Sequence, residues 1–485
     1  MSHRFFIVVQ ACLLALSCFS HEAAGGEPRA TDAALERPPN VVFILCDDLG
    51  YGDLGCYGHP TIETPRLDQM AREGQRWTSF YAPASVCSPS RAGCLTGRLP
   101  IRSGCAGGDN RRLVFFDDCD QGMPQNEITI AEVLGDVGYR SICIGKWHLG
   151  HLPEFLPTAQ GFDEFYGIPY SNDMGLVKGR PNYAALSRTT WDKQVDSKWF
   201  DVPLMHSVKA GEVVELEKPV QQPTLTKRLT DKAVEFIGEN KDQPFFLYLA
   251  HPQPHVPLFA SNDFRDSSIR GLYGDVLKEL DDSVGRVLDE LKQQGLDQNT
   301  LVIFTSDNGP WQFYSYHGGT AGILNGAKAS TWEGGMRVPG IFWMPGKIKA
   351  GETIRGIGSG LDLLPTIANL CGGTMPTDRE IDGVDLSPTL FESKASPRDE
   401  LFYYRGRQLW AIRKGKWKAA FTTVTPKGVQ QHSPPLLWNL DVDPSERYNI
   451  NGHADQALAM LKQMKIEHES QVKPGPELMS RKVKK

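Results

Sequence analysis

Five short apolar runs constrain this 485-residue chain more than any other feature. They cover residues 40–45, 140–144, 244–250, 301–305 and 340–344. Each is shorter than an ordinary helix and is bounded by turn residues, so each reads as a strand buried on both faces. Helical patterns separate them. Thr64-Pro65 starts one, with Thr64 as N-cap and Leu67, Met70 and Ala71 on one face. Others cover residues 128–137, 226–240, 275–294 and 361–370. In the longest of these, Leu277, Leu280, Val284, Val287, Leu288 and Leu291 form an apolar stripe, and Gly295 ends it. Alternation of this kind implies an α/β fold: a large, mainly parallel sheet flanked by helices on both faces.

The runs share a second property. Asp47-Asp48, Lys146 with His148, His255 and Asp307-Asn308 each lie just beyond the end of a predicted strand. Open α/β sheets bind ligands at the carboxyl ends of their strands, so these clusters are expected to meet in one crevice. Asp47, Asp48, Asp307 and Asn308 offer four oxygen donors, which suits a hard cation such as Ca2+, or Mg2+. Taken singly, each pair would pass for a turn or a helix cap. Cys46 and His59 do not fit the set. Lys146 and His148 alternate in an extended segment, so both can face one side. In His251-Pro252-Gln253-Pro254-His255, either histidine could serve the crevice.

Cys87-Ser88-Pro89-Ser90-Arg91 opens a helix, with Ser88 and Pro89 suited to its first positions. Free backbone N–H groups there, with Arg91 one turn on, favour an anion. They would also depress the pKa of the Cys87 thiol. The whole run Cys87-Ser-Pro-Ser-Arg-Ala-Gly-Cys-Leu-Thr-Gly-Arg98 resembles the signature of the type I sulfatases, a family of alkaline phosphatase-like fold. Gly145-Lys146-Trp147-His148-Leu149-Gly150, the T-x-E-G-G of residues 331–335 preceded by Lys328, and Leu440-Asp441-x-Asp443-Pro444 resemble further motifs of that family. Gly167-Ile168-Pro169-Tyr170-Ser171-Asn172-Asp173 resembles its arylsulfatase A branch.

The resemblance implies a sulfuric ester hydrolase acting on sulfated carbohydrates or aryl sulfates. It implies that a maturation enzyme oxidises Cys87 to formylglycine, whose hydrate attacks sulfur. Asp47, Asp48, Asp307 and Asn308, with position 87, would hold the cation. Arg91 and Lys146 would hold the hydrate and its charge. Lys328 and His255, rather than His251, would bind the sulfate and protonate the leaving alcohol. His148 would take a proton from the remaining hydroxyl, and Ser171 would bind substrate. Two other readings are a phosphatase or phosphodiesterase of the same superfamily and a non-catalytic carbohydrate-binding homologue.

Around this catalytic unit (38–371), residues 151–222 are rich in Pro, Gly, Trp and Tyr without clear periodicity, and read as an insertion over one end of the sheet. From residue 372 the texture changes. Runs at 401–404, 408–413, 417–421 and 436–440 suggest a small C-terminal α+β subdomain with an antiparallel sheet, to residue 473. A basic tail, 474–485, is expected to fray. Residues 1–24 carry Arg4, a short apolar run and small residues for cleavage, as in an export signal. No later run is long and apolar enough to span a membrane. Of ten cysteines, Cys12 and Cys18 fall in that signal, and Cys94–Cys105 is one possible pairing among the rest. The sequence holds no N-x-Ser/Thr site, which points to a bacterial exported or periplasmic enzyme. A net charge of −6 argues against nucleic-acid binding. Oligomeric state is not legible.

Overall fold

The computed structural model describes residues 37–107, 112–425 and 428–482. The expected export signal therefore lies outside the described residues. Eleven strands form one sheet. In chain order they are β1 (Asn40–Cys46), β2 (Gln75–Tyr81), β3 (Arg140–Lys146), β4 (Glu164–Ile168), β5 (Leu204–Val208), β6 (Val213–Glu217), β7 (Phe245–Ala250), β8 (Thr300–Ser306), β9 (Arg337–Trp343), β10 (Glu352–Ile354) and β11 (Gly358–Ser359). Their spatial order is β10-β2-β9-β8-β1-β7-β3-β4-β5-β6, with β11 beside β2. The centre, β8-β1-β7-β3-β4, is parallel throughout. β9 runs antiparallel to both β8 and β2.

Burial on both faces explains why the apolar runs are unbroken. Val42 and Ile44 of β1 point into one core, with the helices Pro65–Glu73, Leu225–Glu239 and Leu272–Gln293. Val41, Phe43 and Leu45 point into the other, with Cys87–Thr96, Ile130–Gly135 and Leu363–Cys371. Successive side chains of a strand alternate faces, so a strand covered twice has no polar position to spare.

A second sheet contains β12 (Glu400–Arg405), β13 (Gln408–Lys414), β14 (Trp417–Thr425) and β15 (Gly428–Asn439), all antiparallel. One face packs Ile412, Ala419 and Leu437 against Leu458 and Leu461 of the helix Asp455–Gln471. The other packs Tyr403, Ala411 and Trp438 against Tyr81 and Met336.

Several expectations change. Residues 151–222 supply β4, β5 and β6, which extend the sheet beyond β3; their half-exposed faces break the apolar pattern. The C-terminal tail does not fray over its described part, because Leu478 and Met479 are buried in the large core. Cys94 and Cys105 are unpaired, as are all eight cysteines among the described residues. Thr64 does not cap its helix; its Oγ1 donates to Asp68 Oδ1 and accepts from Gly55 N instead. Among the described residues, no helix is long and apolar enough to cross a membrane.

Candidate functional site

Four neighbouring strands in the order β8, β1, β7, β3 deliver the polar clusters in the same order. Asp307-Asn308 follow β8, Asp47-Asp48 follow β1, His255 lies in the loop after β7, and Lys146 ends β3. Parallel pairing puts all four ends on one side, as the strand-end rule requires. β9 brings its beginning to that side because it is antiparallel. The segment that precedes it, with Lys328 and the Glu333–Met336 turn, therefore reaches the same crevice. Gly309 makes the approach possible: a Cβ there would lie 1.8 Å from Gly334 O. Lys328 N donates to Pro310 O at 3.0 Å and Ala329 N to Ser85 O at 2.8 Å, which fixes the lysine over the Cys87 helix.

Cys87 Sγ is 3.2 Å from Asp47 Oδ1 and 3.4 Å from Lys328 Nζ. Lys146 Nζ donates to Asp47 Oδ2 and, at 3.0 Å, to Ser171 Oγ. Lys328 Nζ lies 2.9 Å from Asp48 Oδ2. Arg91, fully buried, donates from Nε to Asp307 Oδ2 at 3.0 Å and from Nη1 to Lys146 O at 2.6 Å. Asp48 adopts φ 64°, a left-handed conformation that Asp tolerates better than most residues. Its N–H thereby donates to Asp307 Oδ1 at 3.2 Å.

Burial works against all three carboxylates, and the cations decide between them. Lys146 and Arg91 overcome it at Asp47, whose pKa falls well below the ordinary range. At Asp48, burial with Asp47 and Asp307 outweighs Lys328, and the pKa rises to about 7. Asp307 rises to about 6 through burial and Asp47. Carboxylates crowded in this way are relieved by a further positive charge. Asn308 Nδ2 donates to Asp48 Oδ1 at 2.7 Å, leaving its buried Oδ1 without a partner. Asp47, Asp48, Cys87 and His255 bring candidate ligand atoms within 4.8 Å of one another. Three carboxylates and an orphaned amide oxygen fit a hard cation.

The histidines differ in tautomer. His255 Nδ1 is 2.6 Å from Val256 O, so it carries the proton and Nε2 faces Asp48 Oδ2 at 3.7 Å. His148 Nε2 is 2.9 Å from Phe115 O and carries the proton, leaving the buried Nδ1 as a lone pair without a partner. Burial, with Lys328 for His255 and Lys146 for His148, lowers both well below the ordinary value, so both rings are neutral. His251 faces away, with Nε2 3.0 Å from Ser283 Oγ.

Two expectations from sequence are corrected here. His148 is not part of an extended segment; its φ is 61°. The Cys87 thiol is not acidified by its helix N-terminus, because burial and the Asp47 charge push it well above its ordinary value. Sequence reasoning also passed over Trp311, whose ring lies 4.3 Å from Lys328 Nζ and 5.1 Å from the His255 ring. Its place directly after Asp307-Asn308-Gly309-Pro310 was the available signal.

Acidic oxygens at parallel strand ends, ringed by Arg91, Lys146 and Lys328, make a crevice suited to a cation and an anionic group together. Comparison with known proteins narrows this. The chain belongs to the sulfatase family: the sulfatase model matches residues 39–373, and the model of the C-terminal region of aryl-sulfatase matches 396–485. It is 42% identical to arylsulfatase A of Homo sapiens, over 93% of this chain and 92% of that protein. It is 38% identical to N-acetylgalactosamine-6-sulfatase of Mus musculus, over 96% of this chain and 91% of that protein. A sulfatase structure from Pseudoalteromonas sp. superposes with a TM-score of 0.80 at 29% identity, covering 90% of this chain and 92% of that one. A phosphonate monoester hydrolase of Agrobacterium radiobacter shares the fold, with a TM-score of 0.57 at 20% identity. The protein is a sulfuric ester hydrolase.

Proposed function

We propose that this enzyme is exported and removes sulfate from sulfated carbohydrates, with residue 87 as the nucleophile after oxidation to formylglycine. Formylglycine supplies, as its hydrate, an oxygen nucleophile and a second hydroxyl through which sulfate can be expelled. Asp47, Asp48, Asp307 and Asn308 would hold a divalent cation, with calcium as the first choice, which would supply positive charge to the bound sulfate.

The chain's own residues do the remaining work. Lys146 and Lys328 neutralise the sulfate and orient it toward position 87. Arg91 holds Asp307 and Lys146 O, so the acidic cluster keeps its geometry without access to water. His255 presents Nε2 to the crevice. An incoming sulfate favours its protonated form, which then donates to the leaving alkoxide. His148 offers its free Nδ1 lone pair to the proton that must leave the second hydroxyl. Ser171, anchored by Lys146 Nζ, binds substrate beside it.

The observation that carries this reading is the position of Cys87 Sγ between Asp47 Oδ1 and Lys328 Nζ, at 3.2 and 3.4 Å. The test is kinetic. Enzyme matured with a formylglycine-generating enzyme is assayed on paired aryl sulfate and aryl phosphate esters and on sulfated saccharides. Sulfate esters should be preferred, and Cys87→Ala should abolish turnover. A preference for phosphate, or full activity in Cys87→Ala, would overturn it.

A further inference from the structure

A row of aromatic rings leads from the crevice to the surface. Trp311 packs beside His255 and under Lys328. Tyr314 meets Trp311 edge-on at 4.7 Å between ring centroids, and Phe313 meets Tyr314 at 5.3 Å. Phe313 is 57% exposed and Tyr316 46% exposed. Trp191, 55% exposed, stands 6.2 Å from Tyr316. Large rings left in water beside a catalytic crevice call for an explanation that core packing does not give.

The segment is held in place. His317 Nδ1 is 2.6 Å from the Tyr183 hydroxyl, and Arg270 donates to Tyr316 O at 3.0 Å. Ser315 adopts φ 48°, a costly conformation for a residue with a Cβ. The surrounding contacts, not local preference, therefore set the shape of this stretch.

We propose that residues 311–316, with Trp191, form a ledge on which further sugar rings of a sulfated oligosaccharide stack, so that the enzyme reads a chain and not one sulfated unit. The proposal rests on the reading of the substrate as sulfated carbohydrate. A pyranose presents a face of C–H bonds, whose positive hydrogens suit the negative face of an aromatic ring. Rigid aromatic side chains supply such contact at low entropic cost. Charge agrees: the Arg188 guanidinium lies 4.9 Å over the Phe313 ring and makes no ion pair among the described residues. It is placed to meet a sulfate or carboxylate of a neighbouring sugar. Three exposed rings interrupted by Gln312 and Ser315 fall well short of the roughly 800 Å² per partner of a stable protein interface. Continuity with His255 and Lys328 puts the ledge where a saccharide leaving the crevice would run.

The test is calorimetric titration of full-length, calcium-loaded Cys87→Ala protein, which binds without turnover. The probes are sulfated oligosaccharides of two to six sugars from chondroitin sulfate, carrageenan and sulfated fucan. In at least one series, affinity should rise at least about tenfold with length. Phe313→Ala combined with Tyr316→Ser should remove that rise, with the circular dichroism spectrum and Tm unchanged. In the matured enzyme, the same pair should lower the ratio of kcat/KM for the long substrate to that for an aryl sulfate by a similar factor. Affinity independent of length in every series, or a length effect that survives both substitutions, overturns the ledge. So does a loss of self-association in the variant with the length effect intact. A matured enzyme that hydrolyses no sulfate ester, yet loses length-dependent binding on substitution, upholds the ledge and overturns the proposed function.

Discussion

Two buried clusters of charge flank the T-x-E-G-G turn, and they are built differently. In the crevice, Asp47, Asp48 and Asp307 meet Arg91, Lys146 and Lys328, yet Asn308 Oδ1 and His148 Nδ1 remain unpartnered. Behind the turn, Lys418 of β14 joins Glu333 Oε1 at 3.0 Å, Glu446 Oε1 at 2.7 Å and Thr331 O at 2.8 Å. Both oxygens of Glu333 are taken: the Tyr81 hydroxyl donates to one and Tyr403 and Lys418 to the other. Burial opposes ionisation of Glu333, but Lys418, Arg337 and Arg413 hold it down to about 2. One cluster is closed on itself and ties the small sheet to the large one. The other keeps acceptors free and aimed into a crevice. Buried charge alone does not mark a functional site; free acceptors gathered with charge at the strand ends of one crevice set this one apart.

The comparison predicts opposite responses to mutation. The largest effect is expected in the closed cluster. Lys418→Met leaves two buried carboxylates short of their cation and should cost about 3–5 kcal/mol of stability. Chemical denaturation measures it, and turnover per folded molecule should change little. A stable variant with collapsed turnover would erase the distinction between the two clusters. Next is Asp48→Asn in the crevice, expected to cut kcat/KM by about 10²–10³-fold. In calcium-free protein its melting temperature should hold or rise, because burial already disfavours the Asp48 charge. A clear fall in melting temperature would make the crevice another structural cluster. Third, chelation with EGTA should destabilise the matured enzyme by about 2–3 kcal/mol if calcium was present near a hundred times its Kd. Scanning calorimetry reads this, and added calcium should restore the loss. The smallest effect belongs to Glu279, outside both clusters, whose pKa burial raises from 4.5 to about 7. The folded chain then holds an extra proton between those values. Its contribution is full below pH 4.5 and lost as pH rises through 7. Glu279→Gln should flatten that decline, by about 1–2 kcal/mol between pH 5 and 8.

Legibility from sequence followed the same division. The crevice was readable because its donors sit at the ends of strands buried on both faces, where an unbroken apolar run announces the strand and a polar pair announces its end. The closed cluster was not, because Lys418 and Tyr403 lie on half-buried strands, Glu446 lies in the loop after β15, and all three meet Glu333 only through tertiary packing. β2 was missed for a related reason: its sequence, Gln75-Arg-Trp-Thr-Ser-Phe-Tyr81, mixes polar and apolar residues without a clean period. β5 and β6, at the sheet edge, carry exposed residues that hide them. The Cys87 thiol shows where a local rule loses. Its helix N-terminus should favour a thiolate, but full burial next to Asp47 outweighs that preference. A site of this kind gains nothing from the native sulfur, which fits its replacement by oxygen.

The central claim is that residue 87 acts only after that replacement. Mass spectrometry of the peptide containing position 87, taken alongside specific activity across preparations of graded maturation, tests it most directly. The account predicts a peptide that has lost one sulfur and two hydrogens and gained one oxygen, with activity on sulfate esters proportional to its fraction. Full activity in protein whose Cys87 remains an intact thiol would contradict it.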